Sequence, residues 1–579
     1  MGNTTMDTSP LCITVGITGH RDIPDEDIAI LRAVIEVGLL ELQANFKDTP
    51  LLILSGLAEG ADRLVVEVAY EMGIAFAAIL PLPKNDYAKD FTEPSSKQAF
   101  YTWLDRAVWI ETLTQNSSEG LISYQRDQCY EQLGFYLAKN SQLLIALWDG
   151  DIQEKTGGTS QVVRYCLEGL THAKQHKSAT FELPGYRPVI HILTRRLSQF
   201  HAISLQDLGK QKWLWPVVSA GDEEWLQHRW RKTLNHIGLY NLDMREFVVN
   251  NHASIQSSLT YLLCDLACFD ELDAKARRIA SDFAVSDAMS SHAQVLRRRN
   301  FLCLVFLALI AVISQQCYGY FLKWHLLVGS LGLAMFSYLL YHRAQKQRLE
   351  IKYLDYRALA EGLRVQFFWY VSGVSESVSD YFLKDQRDEL EWIRQAIFTT
   401  ELPNSNTNFR KPTKWLLQRW IRDQRIYFIG DQQSGRKGKA RIDATKEAQL
   451  IHWMRISFFA GLILMLSTAV AYELYFETLP LDWKGLLLNG FLASSGAMLC
   501  VVPAIKLYLD TMAYDEHAKR YLRMGQYYAQ CEKQLKTLSE SDSAEAVEKL
   551  LFNIGKQALI ENGDWLLLHR QRPVKVPVM

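Results

Sequence analysis

The sequence lacks an excess of charge of either sign: 63 Lys+Arg stand against 64 Asp+Glu, a formal net charge of −1 over 579 residues. A chain that binds nucleic acid across its surface needs a positive excess to neutralise phosphates, so that class is excluded for the chain as a whole. An acidic disordered chain is excluded too, because 48% of the residues are apolar and 11% aromatic. The nine cysteines are odd in number and scattered, with no Cys-x-x-Cys pair and no close framework, which points to a reducing compartment. Cys264 and Cys268 are four apart, as two ligands on one helix face would be. They sit in an apolar run without further ligands beside them, so core packing is expected. A signal peptide is not expected: residues 1–10 are polar, and the apolar run Leu11–Thr18 is short and followed by charge. Gly2 is present, but Met6 stands where a myristoylation signal wants Ser or Thr.

The length predicts two to four units. The mean hydropathy of −0.08 averages very apolar and very polar stretches. Four apolar stretches are candidate spans: Phe301–Leu322, Leu326–Tyr341, Ile456–Tyr472 and Gly485–Ile505. A bilayer takes roughly 20 apolar residues, about 17 at the short limit. Gln315 and Gln316 interrupt the first stretch and are expected to end its helix early. Ser494, Ser495, Gly490 and Gly496 give the fourth a small-residue face, suited to packing within the chain or between copies. No Asp, Glu, Lys or Arg lies mid-span, which disfavours an ion-coupled transporter. Arg297, Arg298 and Arg299 precede the first stretch, and Arg343, Lys346 and Arg348 follow the second. Arg441, Lys446 and Arg455 precede the third, and Lys506, Lys519 and Arg523 follow the fourth. Positive charge stays on the cytosolic side. The stretches therefore read as two hairpins with both termini cytosolic, and as a weak repeat of architecture.

Residues 12–193 alternate strand and helix. Ile13–Ile17, Leu51–Leu54, Ala75–Leu80, Leu143–Trp148 and Pro188–Leu193 read as buried strands; Ala29–Leu42, Ala61–Met72 and Gln161–Leu170 read as helices. Continuous apolar strands between helices predict an α/β fold: a Rossmann-like parallel sheet covered on both faces, followed by an all-α membrane part. Such sheets bind ligands where strand C-terminal ends meet helix N-termini. Three loops there carry candidate binding residues. GITGHRD supplies Gly16, Gly19, His20, Arg21 and Asp22, with Arg21 a fork for phosphate. SGLAEGADR supplies Ser55, Gly56, Glu59, Gly60, Asp62 and Arg63, where amides opening a helix would face an anion. WDGDIQEKTGGTSQ supplies Asp149, Gly150, Gly157, Gly158 and Thr159. Together they predict a phosphate-bearing ligand. No catalytic residue is assigned and no metal site or resident cofactor is expected, although Asp22, Glu59 or Asp62 could supply a general base.

These loops resemble the SLOG superfamily of Rossmann-like domains, which includes the LOG phosphoribohydrolases and the DNA-processing protein A fold. SGLAEGAD is similar to the Ser-Gly-x-Ala-x-Gly pattern of the latter. TGGTSQ resembles the LOG motif Pro-Gly-Gly-x-Gly-Thr-x-x-Glu in part: Thr156 replaces Pro, one glycine is missing, and no Glu follows Thr159 until Glu168. The resemblance therefore implies nucleotide binding rather than hydrolysis. The helical part resembles the SLATT two-helix membrane effectors that accompany such sensors in bacterial conflict systems, and Tyr353–Tyr370 looks like the helix after such a hairpin. The resemblance implies a bacterial inner-membrane effector whose SLOG-like domain (11–245) binds a nucleotide-derived signal. Through a helical connector (246–300) that domain gates or oligomerises two hairpins (301–341 and 454–507), in antiphage or conflict defence. The expected partners are that nucleotide, the lipid bilayer and further copies of the chain, with no nucleic acid. The alternatives are a membrane-tethered nucleotide-cleaving enzyme and a transporter or scaffold. The cytosolic regions 342–453 and 508–579 are expected to be helical, with loops at Leu402–Lys411 and Asp431–Lys446 and a basic tail suited to the membrane surface.

Overall fold

The computed structural model describes residues 9–114, 123–152, 156–168, 187–199, 203–216, 223–265, 267–382, 387–401, 409–475, 481–540 and 543–571. Strands β1 (Ile13–Gly19), β2 (Leu51–Ser55), β3 (Ala75–Leu80), β4 (Trp109–Thr112), β5 (Leu143–Trp148), β6 (Val189–Leu193) and β7 (Gln211–Leu214) form one sheet. Their order is β4-β3-β2-β1-β5-β6-β7. All neighbours are parallel except β6 and β7. Helices α1 (Ile28–Asn45), α2 (Ala61–Glu71), the short α3 (Lys84–Tyr87), α4 (Pro94–Arg106), α5 (Ser123–Asn140) and α6 (Thr159–Glu168) connect the strands. The apolar strand runs are buried on both faces, as a helix-covered parallel sheet requires. The expected α/β architecture is therefore present. Its edges were not expected: β4 and β7 are short, half-exposed and mix polar with apolar residues, so no apolar run marks them.

The rest is helical: α7 (Glu223–Asn250), α8 (His252–Leu263), the short α9 (Ala267–Asp270), α10 (Ala274–Phe321), α11 (Trp324–Lys346), α12 (Leu349–Ser372) and α13 (Arg387–Glu401). There follow α14 (Thr413–Leu416), α15 (Asp423–Ile429), a two-stranded turn β8 (Gly430–Asp431) and β9 (Arg436–Lys437), then α16 (Lys439–Tyr475), α17 (Leu481–Met512), α18 (Tyr514–Glu540) and α19 (Ala544–Gln571). Four helical segments are long and apolar enough to cross a membrane, and only 11% of each apolar stretch is buried within the chain. The chain is thus built as a multi-pass membrane protein.

The two hairpins repeat one plan. A long helix runs from the helical body through the first span (α10, α16), and a second helix returns (α11, α17). The returning helix then breaks at one non-glycine residue in the left-handed region, Arg348 at φ 52° and Ala513 at φ 49°. A new helix starts beyond each break (α12, α18). Left-handed backbone costs roughly 1–2 kcal/mol for such residues, so both breaks are held by the packing around them.

Three expectations need correction. α10 does not stop at Gln315 but continues to Phe321, because Gln315 accepts a hydrogen bond from the Ser330 hydroxyl (3.1 Å) and Gln316 packs over Gly496. That contact uses part of the small-residue face within the chain, while Gly490 meets open space. The region Asp431–Lys446 is a loop only as far as residue 438, where α16 begins. Cys264 is not core: it ends α8 at φ 74° and is exposed, while Cys268 lies half-buried on α9. Within Leu402–Lys411, residues 402–408 lie outside the described residues, as does the basic tail beyond 571.

Candidate functional site

The sheet direction reverses at β1. Its neighbours β2 and β5 are reached by crossovers of opposite sense, and the loops leaving β1 and β5 diverge there. A cavity of about 580 Å³ opens at this point, as the rule for open α/β sheets expects. Backbone packing makes the opening. His20 N–H donates to the Leu147 carbonyl (3.0 Å) and Ala61 N–H to the His20 carbonyl (3.0 Å). A side chain at Gly19 would meet Ala61 and the Leu147 carbonyl, so the strand end and the start of α2 approach as closely as they do because residue 19 has none. Gly19 is the last residue of β1 rather than a loop residue.

Nine of the sixteen candidate residues line the cavity: Gly19, His20, Arg21, Asp22 and Asp62 from the β1 and β2 sides, Asp149 after β5, and Gly157, Gly158 and Thr159 opening α6. His20 is buried, and burial before all else lowers its pKa, against the raising effect of Asp149. Its Nε2 accepts the Asp149 N–H (3.0 Å), so the ring is neutral, although the Asp149 carboxylate lies 3.2 Å from the same nitrogen. Burial pushes Asp22 up, but the Ser198 hydroxyl (3.0 Å) and Arg196 (3.3 Å) outweigh it and hold its carboxyl low. Asp62 goes the other way: burial raises it to about 6 against the backbone amide of Ala58 and the charge of Arg21.

Arg21 is exposed, lies 5.2 Å over the Tyr130 ring, and makes no hydrogen bond or ion pair among the described residues. Gly157, at φ 76°, packs against Tyr130 from the other side, where a Cβ would stand 2.7 Å from the tyrosine Cβ. The uncommitted guanidinium and the start of α6 therefore meet at one tyrosine; the Gln161 and Val162 amides donate to the Gly158 carbonyl (3.0 and 3.3 Å), which leaves those of Thr159 and Ser160 to open the helix.

The other seven candidates do not line the cavity: Gly16, which lies within β1, and Ser55, Gly56, Glu59, Gly60, Arg63 and Gly150. The SGLAEGADR loop closes on itself. Ser55 Oγ accepts from Leu57 N–H (3.1 Å), Asp62 accepts from Ala58 N–H (3.4 Å), and Gly60, at φ 74°, abuts the backbone of His20 and Arg21. Arg63 donates to the Leu57 carbonyl (3.0 Å) and to Ser96 Oγ (2.7 Å), and its guanidinium lies 4.4 Å over Phe91. Glu59 accepts from the Ser96 hydroxyl. Among the described residues, Arg63 and the amides of Leu57, Ala58 and Ala61 are thus engaged within the protein and frame the wall, while Arg63 Nη2 is buried without a partner.

Sequence reading missed α3 and α5, which close the cavity with Tyr87, Asp90, Arg126, Asp127 and Tyr130. Neither has a glycine motif; α5 follows residues outside the described set. Arg126 pairs with Asp90. Tyr87 OH, Asp90 Oδ2, Tyr130 OH, Asp149 Oδ2 and Ser160 Oγ are all buried without a hydrogen-bond partner among the described residues. Each such atom costs about 1–3 kcal/mol, and all five belong to the lining of this one cavity.

No family model, curated protein or solved structure matches the chain.

Six carboxylates line the cavity against three guanidiniums, of which Arg126 and Arg196 are already paired. An anionic group therefore has one favourable place, between Arg21 and the start of α6, and donor groups have many. Replacing Arg21 by alanine is expected to leave the thermal transition unchanged and to weaken an anionic ligand about 10–100-fold, the worth of one charge-assisted hydrogen bond. Titration calorimetry of both proteins checks this.

Proposed function

We propose that the chain is a ligand-controlled membrane effector. A nucleotide or nucleotide-derived signal binds the β1–β5 crevice, and its occupancy alters the arrangement of the two hairpins so that the membrane becomes permeable. The observation that carries the reading is the convergence of five buried polar atoms unpartnered among the described residues, and an uncommitted arginine, on the crevice of a chain with four apolar helices long enough to span a membrane. In this reading Arg21 and the α6 amides take phosphate. Asp62, Asp90 and Asp149 accept hydrogen bonds from ribose hydroxyls and base amines. The SLOG and SLATT resemblances point the same way, and with them a bacterial inner membrane and a role in conflict defence. The basic residues beside all four spans favour a cytosolic placement of the sheet and both termini.

One helix links the crevice to the helical body. α5 lines the cavity with Arg126 and Tyr130, and at its far end Lys139 pairs with Asp380 of the helical body (2.7 Å). Leu133 and Leu137 of α5 share a buried cluster with Phe398 of α13. A ligand shifts such an equilibrium only by its differential affinity for the two arrangements. The test is dye release from liposomes carrying the full chain, with a panel of nucleotides. Release triggered by one of them, and lost in Arg21→Ala, is expected. Absence of both nucleotide binding and release overturns the proposal.

One observation favours a second reading. Of the three carboxylates considered as a general base, Asp22 is held by Arg196 and Glu59 lies outside the cavity, but Asp62 lines it with a pKa near 6. A poised carboxyl of that kind suits proton transfer, so release of free base from bound nucleotide would assign the crevice to an enzyme.

A further inference from the structure

A second chamber of about 170 Å³ lies inside the helical body, remote in sequence from the crevice. Its wall takes residues from the two helices that run into the spans, Ser290 on α10 and Lys439 opening α16, and from the two that follow the returning spans, Arg364 on α12 and Tyr521 on α18, with α15 and α19 completing it. Three of its residues carry buried polar atoms without partners among the described residues: Arg364 Nε, Glu561 Oε1 and Asn562 Oδ1. Asn562 is 6% exposed and Arg364 7%, so water does not reach them freely.

The unpartnered atoms are of two kinds. Arg364 Nε is a donor, and Lys439, whose ammonium lies 3.7 Å from the Asp443 carboxylate, adds a second positive charge to the wall. Glu561 and Asn562 offer acceptors, and the faces of Tyr427, Tyr521 and Tyr528 stand around them. The other buried charges are already balanced: Glu361 pairs with both Arg357 (2.5 Å) and Arg364, and Arg357 also holds Asp287 (2.7 Å). A simple anion would leave the acceptors unmet, and a simple cation would leave Arg364 unmet. A molecule with a carboxylate at one end and an ammonium at the other answers both, since aromatic faces and a carboxylate together suit an ammonium group.

We propose that this chamber is a second ligand site, for a small zwitterion of the α-amino-acid class, with its carboxylate at Arg364 and Lys439 and its ammonium at Glu561 and Asn562. Because the site touches α10 and α16, which run into the spans, and α12 and α18, which follow the returning spans, its occupant ties the cytosolic ends of the two hairpins together. Glu561 is well placed for this: burial, then the neighbouring Glu361, raises its carboxyl to about 7, so an arriving ammonium draws it into the charged form. The proposal stands apart from the nucleotide reading, since the two cavities share no residue.

The test is thermal stabilisation of the full chain in detergent with each common amino acid, beside acetate and methylammonium as single-ended probes. Saturable stabilisation by one or more amino acids, with neither single-ended probe matching it, is expected. Glu561→Gln, which keeps the shape and loses the charge, is expected to weaken that binding at least 10-fold while the unliganded protein still melts cooperatively. Three results overturn the proposal: no saturable stabilisation by any amino acid, equal stabilisation by acetate or by methylammonium, or unchanged affinity in Glu561→Gln.

Discussion

Replacing Asn241 by leucine is expected to lower the stability of the full chain by about 3–5 kcal/mol, the cost of stranding several buried backbone groups. Asn241 is fully buried on α7. Its Oδ1 accepts from Leu11 N–H (2.9 Å), and its Nδ2 donates to the carbonyls of Leu11 (3.0 Å) and Asp48 (3.0 Å). Leucine matches the volume and meets none of the three. The position also joins the two halves. One face of α7 holds the chain ahead of β1 and β2, and Trp230 adds a hydrogen bond to the Gln142 carbonyl ahead of β5 (3.0 Å). The other face reaches the helical body, where Tyr240 meets Ser286 (2.8 Å) and Asp243 accepts from Lys352 (2.7 Å) and Tyr356 (2.5 Å). Thermal melting followed by limited proteolysis checks the result: the first transition falls, and cleavage appears between the sheet and α10. A change under about 1 kcal/mol would show that the three bonds are replaced by water.

This joint illustrates what the sequence carries and what it withholds. The central strands were readable because each is a short apolar run between helices, and the spans because lipid demands uncharged length. The edges β4 and β7 were not, since half-exposed strands carry no continuous apolar signal. For the site, the loops after β1 and β5 were readable as glycine-rich turns, and His20, Arg21, Asp62, Asp149 and Gly157 do meet in one cavity. The SGLAEGADR loop looked alike and plays another part, because a glycine pattern does not say whether the freed amides face a ligand or the chain's own Ser55 and Asp62. Tyr87, Asp90 and Tyr130 have no local pattern at all: they reach the cavity by tertiary packing of α3 and α5. Asn241 was likewise silent, one asparagine in an ordinary helix.

Asp62→Asn is expected to make the protein more stable at pH 7 and to flatten its pH profile. The carboxyl of Asp62 has a pKa of about 6 in the fold, against an ordinary value of 3.8. The folded state therefore holds a proton between these values that the unfolded chain has released. Stability is greatest below the unfolded pKa and falls as pH rises through 4 to 6. The difference corresponds to about 3 kcal/mol at most. Asparagine keeps an oxygen to accept the Ala58 N–H and never ionises, so it escapes this loss. Melting curves of the two proteins from pH 4 to 7 check it: the wild type should lose ground to the variant as pH rises, and parallel profiles would place Asp62 in contact with solvent. The retained acid then needs a reason other than stability. A buried carboxyl beside an uncommitted arginine suits a site that hydrogen-bonds a ligand, so the same substitution is expected to weaken ligand binding while it strengthens the fold.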